Sequence, residues 1–205
     1  MSAGIVAVAL VGWTLTAVAL IRAGGRDTPN LAGTPSFGIA LVAVALIPCA
    51  IVLRATPLAA VACGATSIAL VLAGDADRRT GYLYDTLTFP TALIVAAVAI
   101  AGNATFPAAC GVALLVGSFG TLYVVTRGRL MGLGDVKAMF SIGAAFGPIE
   151  SLLAIFVACV SGIVAAAVAG KLQRGASLAF GPHLATGCAF SLIAGDSILH
   201  GLMGL

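Results

Sequence analysis

Eight apolar runs, most of them seventeen to twenty-two residues long, fill this chain almost from end to end. A run of about 18 or more apolar residues is long enough to cross a bilayer as a helix. Charge is correspondingly scarce: 8% of residues are Asp, Glu, Lys or Arg, against about 25% in a soluble domain. The expected fold class is therefore all-α, a polytopic helical membrane protein with no soluble domain. Its lipid partner is the bilayer itself. The net charge of +3 belongs to the loops, and no nucleic-acid partner is implied.

The runs occupy residues 3–21, 37–53, 57–74, 86–102, 107–125, 136–148, 151–170 and 182–203, separated by Pro, Gly, Asn and charged residues. No Lys or Arg precedes the first run, while Arg22 and Arg26 follow it. It is expected to be a retained span and not a signal peptide. The sixth run is the short one. Thirteen helical residues cover about 20 Å, less than the hydrocarbon thickness of about 30 Å.

Orientation follows from the basic residues. Arg22, Arg26, Arg78, Arg79, Arg127, Arg129, Lys137, Lys171 and Arg174 all fall in odd-numbered loops, and Arg54 alone falls in an even one. The positive-inside rule then places the odd loops in the cytoplasm and both termini outside. Asp27, Asp75, Asp77, Asp85 and Asp135 share the cytoplasmic side, whereas Glu150 and Asp196 are expected toward the other. Between Asp77 and Asp135 the chain crosses twice, so the two carboxylates return to one face.

Helix polarity separates these acids. Asp77 follows the third run, at the negative end of the helix dipole. Asp135 opens the sixth, where free backbone N–H groups favour a negative charge. Asp77 is thus expected to be the more easily protonated and Asp135 the more readily ionised, the split that an acid–base pair needs. Ordinarily an acid before an apolar run is only a cap and a loop acid only a solvated charge. Spacing by itself names no reaction.

Three motifs do. The stretch GLGDVK (132–137) resembles the signature of GxGD aspartic proteases, in particular type IV prepilin peptidases and archaeal preflagellin peptidases. That family has an earlier Asp followed eight positions later by Asp or Asn in an I-P-(D/N)-x-L-T pattern. Here Asp77 is followed by Leu83-Tyr84-Asp85-Thr86-Leu87-Thr88. LAFGPHLATG (178–187) is similar to the family's P-F-G-P-x-L-x-x-G run. Tyr84 and Ala179 stand where the family usually has proline. The resemblance covers about 57–205, implying a six-helix peptidase core there and two additional membrane helices in 1–56.

The resemblance implies a leader peptidase of the bacterial inner membrane that cuts prepilins or pseudopilins at the cytoplasmic face, for pilus or secretion-system assembly. Asp77 and Asp135 would be the catalytic pair: one, ionised, takes a proton from water, and the other, protonated, polarises the scissile carbonyl. Gly132 and Gly134 would permit a tight turn and close backbone approach. Lys137 is placed to balance Asp135 or meet an acidic substrate residue, beside its ordinary role as a membrane anchor. Asp85 is expected to cap the fourth span, with substrate approach as its lesser role. No metal or other cofactor is implied.

Larger bacterial members carry a cytoplasmic domain with paired Cys-x-x-Cys motifs, associated with N-methylation, in the first loop. This chain has some fifteen residues there. Its five cysteines form no such pair, lie in the spans and suit helix packing. A short form similar to the peptidases of tight-adherence (Flp) pili is implied. Two other classes stay open: a proton- or ion-coupled transporter using intramembrane acids, though no inverted repeat is visible, and a non-catalytic pilus-assembly protein.

Overall fold

A computed structural model describes residues 3–24, 37–83, 85–170 and 179–203. Predicted features on Arg26, Asp27, Tyr84, Lys171 and Arg174, and on the side chains of Arg22 and His200, lie outside the described residues. The described part is helical: α1 (Ala3–Gly24), α2 (Phe37–Leu53), α3 (Pro57–Thr80), α4 (Asp85–Ala101), α5 (Thr105–Thr126), α6 (Leu133–Val168) and α7 (Gly181–Met203). Among these, α3, α5 and α6 are long and apolar enough to cross a membrane.

Helix α3 is the axis of the bundle. Thr56 caps it, its Oγ1 accepting from Ala59 N at 3.1 Å, and Pro57 follows in the first turn. Its face-to-face run of Ala, Gly, Cys, Ser and Thr presents small side chains on every side. Neighbours therefore approach from all round, and α1, α2, α4, α6 and α7 pack against it. Trp13 of α1 is buried there and donates its indole N–H to the Ala65 carbonyl at 3.2 Å.

The sixth and seventh runs form two helical legs, joined without a loop and together labelled α6. Helix α6 spans 36 residues but is interrupted at Gly147, where φ is 68° and ψ is −174°. An L residue with a side chain avoids that region, so glycine is required. Pro148 follows, able to open the next helical leg because a first-turn residue needs no N–H donor. The break falls at the predicted boundary between the sixth and seventh runs, and the two legs together with the six other helices make eight helical segments among the described residues.

The two legs fold back on each other. A straight helix of this length would measure about 54 Å, yet Asp135 near its start and Ala165 near its end line one cavity. The first leg packs on α5 with glycine against glycine: a Cβ on Gly143 would lie 2.5 Å from the Gly111 carbonyl. The second leg packs on α7.

Candidate active site

Asp77 lies inside α3, in its last turn, and not beyond the helix as the apolar run suggested. Gly81 (φ 74°) ends the helix and donates its N–H to the Asp77 carbonyl at 2.7 Å. The Asp77 side chain is 5% exposed. Its Oδ2 accepts from the backbone N–H of Gly181 at 2.8 Å, the first residue of α7.

Asp135 is the third residue of α6, with Gly132 as the N-cap. Its Oδ2 reaches back to accept from Gly132 N at 3.2 Å, the carboxylate half of a capping box. Its Oδ1 is buried without a hydrogen-bond partner.

The expected contrast of helix ends is therefore corrected. Asp77 sits at the negative end of α3, but it also accepts from the positive end of α7. Each acid thus has a helix N-terminus at one oxygen. What distinguishes them is that Asp135 holds a buried acceptor in reserve.

Both carboxylates line one cavity of about 950 Å³. Its walls come from the α3–α4 turn, the 128–135 turn, the end of α6 and the start of α7. Arg78 and Arg129 stand among the lining residues, and His183 is a further one, its Nδ1 3.1 Å from Ser161 Oγ.

Leu83 fastens the two acid-bearing segments. A Cβ on Gly134 would fall 2.8 Å from Leu83 Cβ and 2.9 Å from its carbonyl oxygen. One on Gly181 would fall 2.8 Å from Asp77 Oδ2 and 3.1 Å from Leu83 Cδ1. Gly134 and Gly181 thus each admit a neighbour that a side chain would displace. Gly132 does not: its backbone is extended (φ −75°, ψ 152°), and a Cβ there meets only Asp135 Oδ2 at 3.4 Å.

Two other candidates are placed differently from expectation. Lys137 Nζ lies 2.7 Å from each carboxylate oxygen of Asp85 and so is engaged away from Asp135. Asp85 is the first residue of α4, and Lys137 draws its carboxylate across to α6. Arg79 pairs with Asp75 one turn back. Sequence reasoning missed Gly181 and Leu83. Gly181 sits inside the third motif, which was the available signal. Among the described residues no group of three His, Cys, Asp or Glu side chains is placed to hold a metal.

The model of the type IV leader peptidase family matches residues 64–167, just over half of the 205. The chain belongs to that family. The matched part of this leader peptidase carries Asp77, Asp85, Gly132, Gly134, Asp135 and Lys137. It stops short of the third motif, and α1 and α2 lie before it. No curated protein and no solved structure matches the chain. As a leader peptidase with three helices apolar and long enough to span, it is a protein of the inner membrane.

Proposed function

We infer that the chain is an intramembrane aspartic endopeptidase that removes the basic leader from Flp-like type IV prepilins at the cytoplasmic face, with Asp77 and Asp135 as its catalytic pair. One observation carries this reading: two carboxylates from separate helices border one cavity, and each is fixed through one oxygen by a backbone N–H. Fixing one oxygen orients the carboxyl group and leaves the other for chemistry. At Asp135 that other oxygen makes no hydrogen bond to another protein group.

The chemistry follows from two such groups bordering one cavity. The ionised carboxyl removes a proton from water as the oxygen attacks the scissile carbonyl. The protonated partner donates to the carbonyl oxygen, and a proton then passes to the leaving amine. The attacked bond must first leave helical hydrogen bonding, and the cavity has room for an unwound segment.

The test is cleavage of a Flp-type prepilin by the chain reconstituted in lipid, read by the loss of the leader. Asp77→Asn and Asp135→Asn, made separately, should each reduce cutting to background while the protein still inserts and keeps its thermal transition. Cleavage by either variant at a tenth of the original rate or more would overturn the assignment.

A further inference from the structure

The geometry points to a docking groove for the substrate's apolar helix on the outer face of α4, α5 and the first leg of α6, an assignment that rests on the peptidase reading above. The groove holds about 790 Å³ and shares no lining residue with the cavity, but successive residues of α6 line the two. Gly134 and Asp135 line the cavity, while the next two residues, Val136 and Lys137, line the groove.

Three features fit an apolar helix that has just unwound. The groove runs along α4 from Asp85 to Ala96, about 16 Å at 1.5 Å per residue, or three turns. Phe89 and Leu93, 65% and 58% exposed, offer it large apolar side chains. At its cavity end stand the mutually neutralised Asp85 and Lys137, so no uncompensated charge bars an apolar segment.

Pro90, inside α4, adds one more. Having no N–H, it leaves the Thr86 carbonyl without its helical donor, and both residues line the groove. Residues past the scissile bond lose their own helical acceptors when the bond is presented, and a free carbonyl there can take one of their N–H groups. A second groove, of about 480 Å³ between α2, α3 and α7, also borders the cavity through Arg78 and Pro182. It is smaller, and its proline stands in the first turn of α7, where no carbonyl of the helix is deprived.

Photocrosslinking separates the two. A benzophenone amino acid is placed at Leu93 or at Ile193, which are similarly exposed (58% and 51%) and face the first and second groove respectively. The full chain carries Asp77→Asn to hold substrate uncut, in membranes with a Flp-type prepilin. The expected result is a prepilin adduct from Leu93 at least fivefold stronger than from Ile193. Adducts chiefly from Ile193, or only lipid adducts from both, would overturn the assignment. As a second measurement, Ala96→Trp should fill the groove and slow processing about tenfold, with Ile193→Trp near the original rate; the reverse order counts against the groove. If the unmodified chain leaves the same prepilin uncut, the peptidase reading itself has failed, and the groove falls with it.

Discussion

Gly134 and Gly132 flank the same motif but carry unequal structural demands. A methyl at 134 would press on the Leu83 backbone, which cannot yield without moving the α3–α4 turn and with it Asp77. A methyl at 132 meets only ordinary contact, and alanine keeps the N–H that Asp135 accepts. Gly134→Ala should therefore lower cleavage by roughly 100-fold, the cost of misplacing reacting groups by about 1 Å, and Gly181→Ala, whose methyl meets Asp77 Oδ2, should do the same. Gly132→Ala should cost less than about tenfold by the same reasoning. Initial rates on one prepilin, with thermal transitions to exclude unfolding, check the order; equal losses at 132 and 134 would refute it. The cap at Asp135 was legible because its partner, Gly132, is three residues away. The Asp77–Gly181 hydrogen bond joins residues 104 apart, and no local pattern carries such a contact.

Helix ends were harder to place than helices. The apolar run of α3 stops near residue 74, yet the helix continues through Asp75, Asp77, Arg78 and Arg79 to Thr80. A polar cavity at that end accepts charges that a lipid-facing turn would not. Hydropathy reports solvent preference and not hydrogen bonding, so it ended the span where the environment changed. The interruption of α6 was legible for the opposite reason. Gly147-Pro148 is a local signal, one residue supplying a left-handed φ and the next unable to donate. Gly147→Ala should lower stability in detergent by about 1–3 kcal/mol, the cost of a backbone region that is essentially reserved to glycine. Cleavage should fall with it, because both legs supply cavity walls. Denaturation midpoints and rates check this, and a variant as stable and as active as the original would show that the reversal does not need glycine.

Charges in the bundle collect at its two ends. From Arg54 to Asp77 there are 23 positions, mostly helix, so the groups stand about 30 Å apart at 1.5 Å per residue, close to the hydrocarbon thickness. At the end away from the carboxylate pair, Arg54 Nη1 is 2.6 Å from Glu150 Oε2 and 3.4 Å from Asp196 Oδ1. Its Nη2 donates to the Ser191 carbonyl at 2.9 Å, and the guanidinium lies 5.3 Å from the Phe146 ring centre. Asp196 thus meets Arg54. The arginine ties the α2–α3 connection to the α6 break and to α7. Arg54→Met would leave Glu150, with 15% of its side chain exposed, without its counter-ion. The expected loss is about 3–5 kcal/mol, with Arg54→Met/Glu150→Met recovering most of it; a single variant as stable as the original would remove the clamp.

The same segregation makes orientation testable. The three charges that loop counting assigned away from the cytoplasm, Arg54, Glu150 and Asp196, are the three that meet. That is what an even number of crossings between the assigned faces requires, though a bundle inverted as a whole would keep every one of these contacts. The basic residues break that symmetry, since loop counting assigns nine of ten to the other side and a cytoplasmic excess of Lys and Arg sets topology. With the five native cysteines replaced, Tyr82→Cys near the carboxylate pair and Thr105→Cys in the first turn of α5 report the two ends. In intact cells a membrane-impermeant thiol reagent should label Thr105→Cys, while Tyr82→Cys should label only after the inner membrane is opened. The opposite pattern would put the cavity on the outer face, out of reach of a leader that has not crossed the membrane, and cleavage would then have to follow export instead of preceding assembly.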